Sequence, residues 1–201
     1  MFKKICSTLL ALLTAFSLAA CGTPKQDDPT PIQPDPDPGT ETFEAEVWTL
    51  PSSVKVLREA DCSAYYTEDA RLQYAMAKNE YESMQLMITP EADIGSLDLE
   101  ISALKSEGGA EIPAENIEVY NEFYVYVQRG TAPDSTRPAG WYPDALIPQE
   151  LSAEYGENKI SAGENQGIWI TIKTEKDTPA GTYTGTFTLN ADDESLQIPV
   201  E

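Results

Sequence analysis

Carboxylates are the side chains of this sequence that could perform acid–base chemistry. Its 201 residues include 34 Asp and Glu and no His, which excludes histidine-based metal sites and Ser-His or Cys-His nucleophilic pairs. Hydrolases that use two carboxylates place them on either side of the bond to be cleaved, about 5 to 9.5 Å apart. The neighbouring acids Glu68-Asp69 and Asp192-Asp193-Glu194 instead fall in predicted turns, where such side chains bind the backbone. We therefore predict no catalytic residue, no metal site and no cofactor.

Cys21 follows a predicted export signal. Residues 1–20 begin with Lys3 and Lys4, continue through an apolar stretch and end in small residues, the arrangement of a signal peptide. The stretch is shorter than the ~20 apolar residues of a membrane-spanning helix. The motif Leu-Ala-Ala-Cys at residues 18–21 resembles the bacterial lipobox, whose cysteine receives lipid. The sequence thus predicts cleavage after residue 20 and an extracytoplasmic, cell-surface protein held in a bacterial membrane through lipidated Cys21.

Charge and cysteine content restrict the partners and cross-links of the chain. A net charge of −21 repels the phosphates of nucleic acids, so nucleic acid is not an expected partner. Cys6 would leave with the signal peptide and Cys21 would carry the lipid. Cys62 then has no partner within the chain, and no internal disulfide is expected.

Composition divides the remaining chain into two parts. Residues 21–42 are rich in Pro and Asp and almost free of apolar side chains, which predicts a disordered linker between the lipid and the folded part. Residues 43–201 are long enough to bury a core of their own. We therefore predict one domain over 43–201.

Apolar and polar residues alternate with a period of two through this domain, which predicts β-strands. Tyr183, Phe187 and Leu189 alternate with threonines, and residues 195–200 complete a predicted terminal hairpin. Further strands are predicted at 47–56, 97–101, 117–127 and 168–172, and residues 72–76 and 84–88 suggest another hairpin. Seven to nine such strands favour an all-β, immunoglobulin-like antiparallel β-sandwich. Residues 128–166 are predicted as one long loop.

Aromatic residues lie opposite the predicted core side of two strands. Tyr124 and Tyr126 share one face of 117–127, Trp169 alternates with core isoleucines, and the long loop adds Trp141 and Tyr142. Such rings could stack on a glycan, contact another domain or pack under the loop. We predict packing under the loop or against a domain in preference to glycan binding, and these five residues are the candidate contact site.

Three stretches, in this order, carry a family resemblance: AKNEYESMQL at 77–86, GWYPDALIP at 140–148, and NQGIWI from 165 running to PAGTYTG at 179–185. Together they resemble the N-terminal β-sandwich of bacterial surface lipoproteins of the glycoside hydrolase family 123 type, over residues 43–201. The resemblance implies a following (β/α)₈ barrel, whose adjacent Asp and Glu hydrolyse N-acetylhexosaminides with the help of the substrate. This sequence ends before such a barrel.

These observations lead to ranked expectations for function. The first is a lipid-anchored, non-catalytic accessory domain of a glycoside hydrolase-like protein, with the catalytic domain in a longer parent chain as its partner. The alternative is a surface module that binds carbohydrate, with a glycan as its partner. A complete enzyme is the third possibility, and it lacks an assembled acid–base pair or nucleophile. We therefore expect that this chain is not itself an enzyme.

Overall fold

The computed structural model describes residues 43–67, 69–128 and 137–201, and these residues form an all-β domain. Its ten strands and one short α-helix follow the chain as β1 (Ala45–Pro51), β2 (Tyr81–Pro90), β3 (Leu97–Glu100), β4 (Leu104–Ser106), β5 (Glu111–Ile112), β6 (Ile117–Val127), β7 (Gly140–Pro148), α1 (Gln149–Tyr155), β8 (Gln166–Lys173), β9 (Tyr183–Ala191) and β10 (Glu194–Val200). The predicted signal peptide, the linker and Glu68 lie outside the described residues.

The strands form two antiparallel sheets. The first sheet has the order β1-β2-β8-β6-β7, and the second has the order β10-β9-β4-β5, with β3 also paired to β9. Alternate side chains of both sheets meet in one core, which includes Ile168, Ile170 and Ile172 of β8 and Phe187 and Leu189 of β9. Each of these side chains is at most 1% exposed, and burying one stabilises the fold by about 1.5 to 3 kcal/mol. The predicted all-β sandwich is therefore confirmed.

The hairpin of β9 and β10 forms as the sequence predicts. Its turn places Asp192 at a φ of 51°, and both carboxylate oxygens of Asp192 accept a hydrogen bond from the backbone N–H of Gly95, at 3.1 and 3.0 Å. Nearby, Glu194 Oε2 accepts from the backbone N–H of Glu44 at 3.1 Å. These acids hold the turn and its neighbouring segments in place, as the turn interpretation of residues 192–194 expects.

The predicted hairpin between residues 72–76 and 84–88 is wrong. The neighbours of β2 are β1 and β8, so both of its edges are occupied. Leu72 instead forms an isolated parallel bridge with Val200, and Tyr74 N–H donates to the carbonyl of Glu201 at 2.8 Å. Alternation shows that a segment is extended, but it does not say which sheet edge is free to receive it.

The predicted long loop of residues 128–166 is also wrong in part, because β7 and α1 lie within it. β7 pairs with β6 along residues 140–148. It contains Pro143 and Pro148, residues that argue against a central strand but are tolerated at a sheet edge, which is where β7 lies. α1 follows directly, and the side chain of Gln149 hydrogen-bonds both the N–H and the carbonyl of Leu99 in β3.

No helix within the described ranges has both the length and the apolar character that crossing a membrane requires.

Candidate functional site

The outer face of the first sheet, which points away from the sandwich core, is covered by residues 51–66, here called the covering segment. Trp48 and Met87 point outward from β1 and β2, and each is fully buried. They pack with Val56 and Cys62 of the covering segment in a second apolar cluster. The ring of Tyr65 stacks on that of Trp48 with centroids 5.7 Å apart. The first sheet is thus buried on both faces at its β1 side.

Asn165, which directly precedes β8, fixes the covering segment to the sheet. Its side-chain N–H groups donate to the carbonyls of Leu57 at 3.0 Å and Ala60 at 2.8 Å, and its Oδ1 accepts from Thr89 at 2.7 Å. Its backbone N–H donates to the carbonyl of Arg58 at 2.7 Å. At 1% exposure, Asn165 satisfies backbone groups that would be costly to bury unpaired.

Arg58 of the covering segment lies between two candidate aromatic rings. Its guanidinium carbon is 4.8 Å from the ring centroid of Tyr124 and 4.9 Å from that of Trp141, the geometry of a cation–π contact. Its Nε is 4.0 Å from the carboxylate of Glu164, and its backbone N–H donates to the carbonyl of Trp141 at 3.1 Å. Burial, reinforced by the charge of Glu122, raises the pKa of Tyr124 far above its ordinary value.

Tyr126 extends this cluster into solvent. Its ring meets that of Trp141 edge-on at 5.4 Å, and its side chain is 51% exposed, whereas Tyr124 is 2% exposed. The cluster of Arg58, Tyr124, Tyr126 and Trp141 therefore has a buried inner part and an open rim. The sequence analysis predicted that Tyr124 packs under residues 128–166 or against another domain; in the structure, Arg58 of the covering segment lies between Tyr124 and Trp141.

Glu122 is a buried acid on the same face of β6. It is 4% exposed, and its Oε2 has no hydrogen-bond partner. Burial raises the pKa of Glu122 to about 7, although the positive charge of Lys55 acts in the opposite direction. The carboxyl lies directly over Gly167 of β8, where an added Cβ would overlap it. Glu122 fits here because residue 167 has no side chain.

A cavity of about 210 Å³ lies beside Glu122. Lys55 lines the cavity, and its Nζ donates to the carbonyl of Pro143 at 2.8 Å. Gln85 is held by hydrogen bonds from its Nε2 to the carbonyls of Pro51 and Val54, both at 2.8 Å. The residues around the cavity are Ser52, Val54, Lys55, Gln85, Glu122, Pro143, Asp144, Leu146 and Trp169.

Trp169 and Tyr142 lie apart from the Arg58 cluster. Trp169 is opposite Tyr120 in the β6–β8 register, its indole N–H donates to Thr171 Oγ1 at 3.1 Å, and its half-buried ring lines the cavity. Tyr142 alternates with Trp141 and pairs with Val125 on the other face, where its hydroxyl donates to the carbonyl of Pro138 at 2.8 Å. The five candidate residues therefore form one three-ring cluster and two separate positions.

Sequence reasoning missed the side chains that organise this face. Arg58, Lys55 and Asn165 are distant in sequence from the strands they contact, and no periodicity marks them. Glu122, which lies on the same strand as Tyr124, was not singled out either. A clue was available in Gly167, because a glycine within a strand signals the close approach of another group.

The groups around this cavity are better suited to binding a ligand than to cleaving a bond. Glu122 and Asp144 both line the cavity, but Asp144 is exposed on the sheet edge. Within residues 43–67, 69–128 and 137–201, no three His, Cys, Asp or Glu side chains are grouped to hold a metal ion. An aromatic ring, a buried carboxyl, an ammonium group and amides are the groups that a binding site uses.

The chain was compared with known proteins. Residues 59–191 match the family model described as the glycoside hydrolase 123 N-terminal domain. One matching solved structure is a family 123 glycoside hydrolase from Clostridium perfringens, analysed for glycolipid glycan hydrolysis, with 15% sequence identity and a TM-score of 0.62. The match covers 78% of this chain and 26% of that one, so this chain spans about a quarter of that relative. None of the curated proteins compared matches. Since the family model spans most of the sandwich, this chain belongs to the glycoside hydrolase 123 N-terminal domain family.

Proposed function

We propose that this protein is a lipid-anchored, non-catalytic accessory domain of a glycoside hydrolase-like surface protein, whose catalytic domain belongs to a longer parent chain. The observation that carries the proposal is the family match over residues 59–191, which is to an N-terminal domain and not to a catalytic one. The 26% coverage of the Clostridium perfringens enzyme supports it, because most of that protein lies outside the shared sandwich.

The contacts of the acidic residues support a non-catalytic role. Asp192 and Glu194 bind backbone N–H groups. Glu164 faces Arg58, and Glu122 is buried over Gly167. A carboxylate pair that hydrolyses a glycosidic bond must reach both sides of that bond, whereas Asp192, Glu194 and Glu164 are engaged in holding turns and the covering segment.

The motif at residues 18–21 supports the anchor. A lipidated Cys21 would be joined to the sandwich by residues 22–42, whose Pro and Asp content favours an extended spacer. Two or more acyl chains hold a protein firmly, because each buried CH₂ contributes about 0.8 kcal/mol. In this proposal the sandwich positions a catalytic domain outside the membrane.

The reading frame downstream of codon 201 in the source genome tests the accessory role. An in-frame continuation that encodes a catalytic domain is the expected result. A stop codon directly after Glu201 in the native gene would contradict a role as part of a longer hydrolase.

The second candidate is a carbohydrate-binding surface module. The specific observation in its favour is that Tyr126 is 51% exposed and lies edge-on to Trp141 at the rim of the Arg58 cluster. Binding of fluorescently labelled glycans to an array, compared between the parent protein and Tyr126→Ala, tests it. Glycan binding that Tyr126→Ala removes would favour this candidate, whereas binding unaffected by the substitution would contradict a site at this rim.

A further inference from the structure

The cavity beside Glu122 has an apolar side and a polar side. Val54, Pro143, Leu146 and Trp169 supply the apolar groups, and Leu146 is 42% exposed at the sheet edge. The polar groups are Ser52, Lys55, Gln85, Glu122 and Asp144. A pyranose ring has the same division, because its C–H groups form apolar faces while its hydroxyl groups project around the ring.

The carboxyl of Glu122 is the group in this cavity that most needs a partner. It is 4% exposed and its Oε2 accepts no hydrogen bond from the described residues. Buried polar groups without partners are rare in native proteins and call for an explanation. Oε2 itself is enclosed above Gly167, but Glu122 also lines the cavity, where a ligand hydroxyl would donate to its carboxyl group.

The charges around the cavity select among ligand classes. An anion would face both Glu122 and Asp144, and like charges repel. A divalent metal ion lacks a group of three suitable ligands among the described residues. A cation would be attracted by Glu122 and Asp144 but repelled by Lys55, whose Nζ donates to the carbonyl of Pro143 at 2.8 Å, so a small cation is the rival ligand in the test below. A neutral ligand that donates hydrogen bonds meets none of these obstacles.

We propose that this cavity binds one neutral pyranose unit of a glycan, with a face of the sugar on Trp169 and a hydroxyl group donating to Glu122. The site is separate from the exposed rim formed by Tyr126 and Trp141. It goes beyond the accessory role, and its failure would leave that role untouched, because an accessory domain need not bind sugar.

Nuclear magnetic resonance of the full chain tests the site, because the indole N–H of Trp169 gives its own signal. The probes are the methyl glycosides of β-galactose, β-glucose and β-N-acetylgalactosamine, with tetramethylammonium as the rival cation. We expect one of the glycosides to shift the Trp169 signal in a saturable manner and to leave that of fully buried Trp48 unmoved. No saturable shift with any glycoside, or a shift with tetramethylammonium alone, would overturn the proposal.

Substitution of Glu122 separates a ligand contact from a general effect of charge. Glu122→Gln keeps the size of the side chain and, at pH 8, where the carboxyl is ionised, should weaken glycoside binding about tenfold, since a hydrogen bond to a charged acceptor is replaced by one to a neutral amide. The matched control is Glu118→Gln, an exposed position on the same face of β6, which should bind as the parent does. Equal affinity of Glu122→Gln and parent, or equal losses in both variants, would overturn the proposal.

A second variant keeps the test decisive if Glu122→Gln does not fold. Trp169→Ala removes the proposed stacking surface and should abolish detectable glycoside binding, which is then followed through backbone signals of β8. Tyr155→Ala is the control, because Tyr155 is an exposed aromatic residue at the end of α1 and is not a lining residue of the cavity. Binding that persists in Trp169→Ala would contradict the site.

Discussion

The carboxyl of Glu122 occupies the space above Gly167 that a side chain at position 167 would need. The two residues lie on neighbouring strands, β6 and β8, on the outer face of the first sheet. Their fit explains why a glycine occurs near the start of β8, directly before its bulky strand residues. The effect of a substitution at either position should therefore depend on which residue occupies the other.

Gly167→Ala should therefore destabilise the domain by about 1 to 3 kcal/mol, the usual effect of forcing extra atoms into a packed site. Glu122→Ala removes the overlapping carboxyl, so the double variant should lose less stability than the sum of the single variants. The free energy of unfolding in urea measures both effects. The control is Gly181→Ala, because no atom lies within 4 Å of a Cβ added there. Additive losses in the double variant would show that the overlap is not the cause.

The stability of the domain should fall as the pH rises from about 4.5 to about 7. The folded-state pKa of Glu122 is about 7, against an ordinary value of 4.5, so between these values the folded state holds a proton that the unfolded state has released. The stabilisation that this proton provides is complete below about pH 4.5 and is lost as the pH passes the folded-state pKa. The free energy of unfolding should change by a total on the order of 3 kcal/mol.

Glu122→Gln should remove this part of the pH dependence and make the protein more stable than the parent at pH 8. Thermal unfolding at several pH values measures the difference, with Glu118→Gln as the control. If the melting temperatures of the parent and of Glu122→Gln change in parallel between pH 4.5 and 8, the assignment of a buried, protonatable Glu122 is contradicted.

Arg58 should stabilise the covering segment through its shape as well as its charge. Arg58→Lys keeps the charge but loses the planar group that contacts Tyr124 and Trp141. We expect a loss of about 1 to 2 kcal/mol, the value of a desolvated cation–π contact. Urea unfolding measures it, and exposed Arg71→Lys is the control. Full stability of Arg58→Lys would mean that charge alone is sufficient.

Asn165→Asp should loosen the covering segment. The substitution keeps an acceptor for Thr89 but removes the donors to Leu57 and Ala60, and an unpaired buried carbonyl costs about 1 to 3 kcal/mol. Gln197→Glu makes the same change of charge on the exposed face of β10 and should have little effect. Hydrogen exchange of the Arg58 and Tyr65 amides reports the loosening. Unchanged protection of these amides would contradict the anchoring role of Asn165.

Strand content was predictable from the sequence where a segment has one apolar and one polar face. The alternation of Tyr183, Phe187 and Leu189 defined β9 because its other face is exposed or half-buried. β7 was missed because Pro143 and Pro148 are acceptable only at a sheet edge, and edge position is a property of the tertiary fold.

The outer-face site was less predictable because it depends on contacts between distant parts of the chain. The sequence placed Tyr124, Tyr126 and Trp169 opposite the core side of two strands. It gave no indication that Arg58 would cover Tyr124, because the register of a covering segment is set by individual hydrogen bonds such as those of Asn165. Tyr142 was grouped with Trp141, although neighbouring residues of a strand point to opposite faces.

Cys21→Ser should abolish incorporation of labelled palmitate into the protein in its bacterial source. The motif at residues 18–21 motivates this expectation, because the lipobox cysteine is the acceptor of the lipid. Membrane fractionation of the same cultures provides a second measurement, and Cys62→Ser, which alters a buried thiol, is the control. Membrane attachment of Cys21→Ser equal to that of the parent would contradict the anchor.

Hydrolysis of p-nitrophenyl N-acetylhexosaminides by the full chain tests the non-catalytic role most directly. The accessory role predicts that the parent, Glu122→Gln and Asp144→Asn all release nitrophenol at the rate of the buffer alone. If the parent releases nitrophenol and Glu122→Gln or Asp144→Asn abolishes this release, the accessory role is contradicted, because an acid of the cavity would then be catalytic.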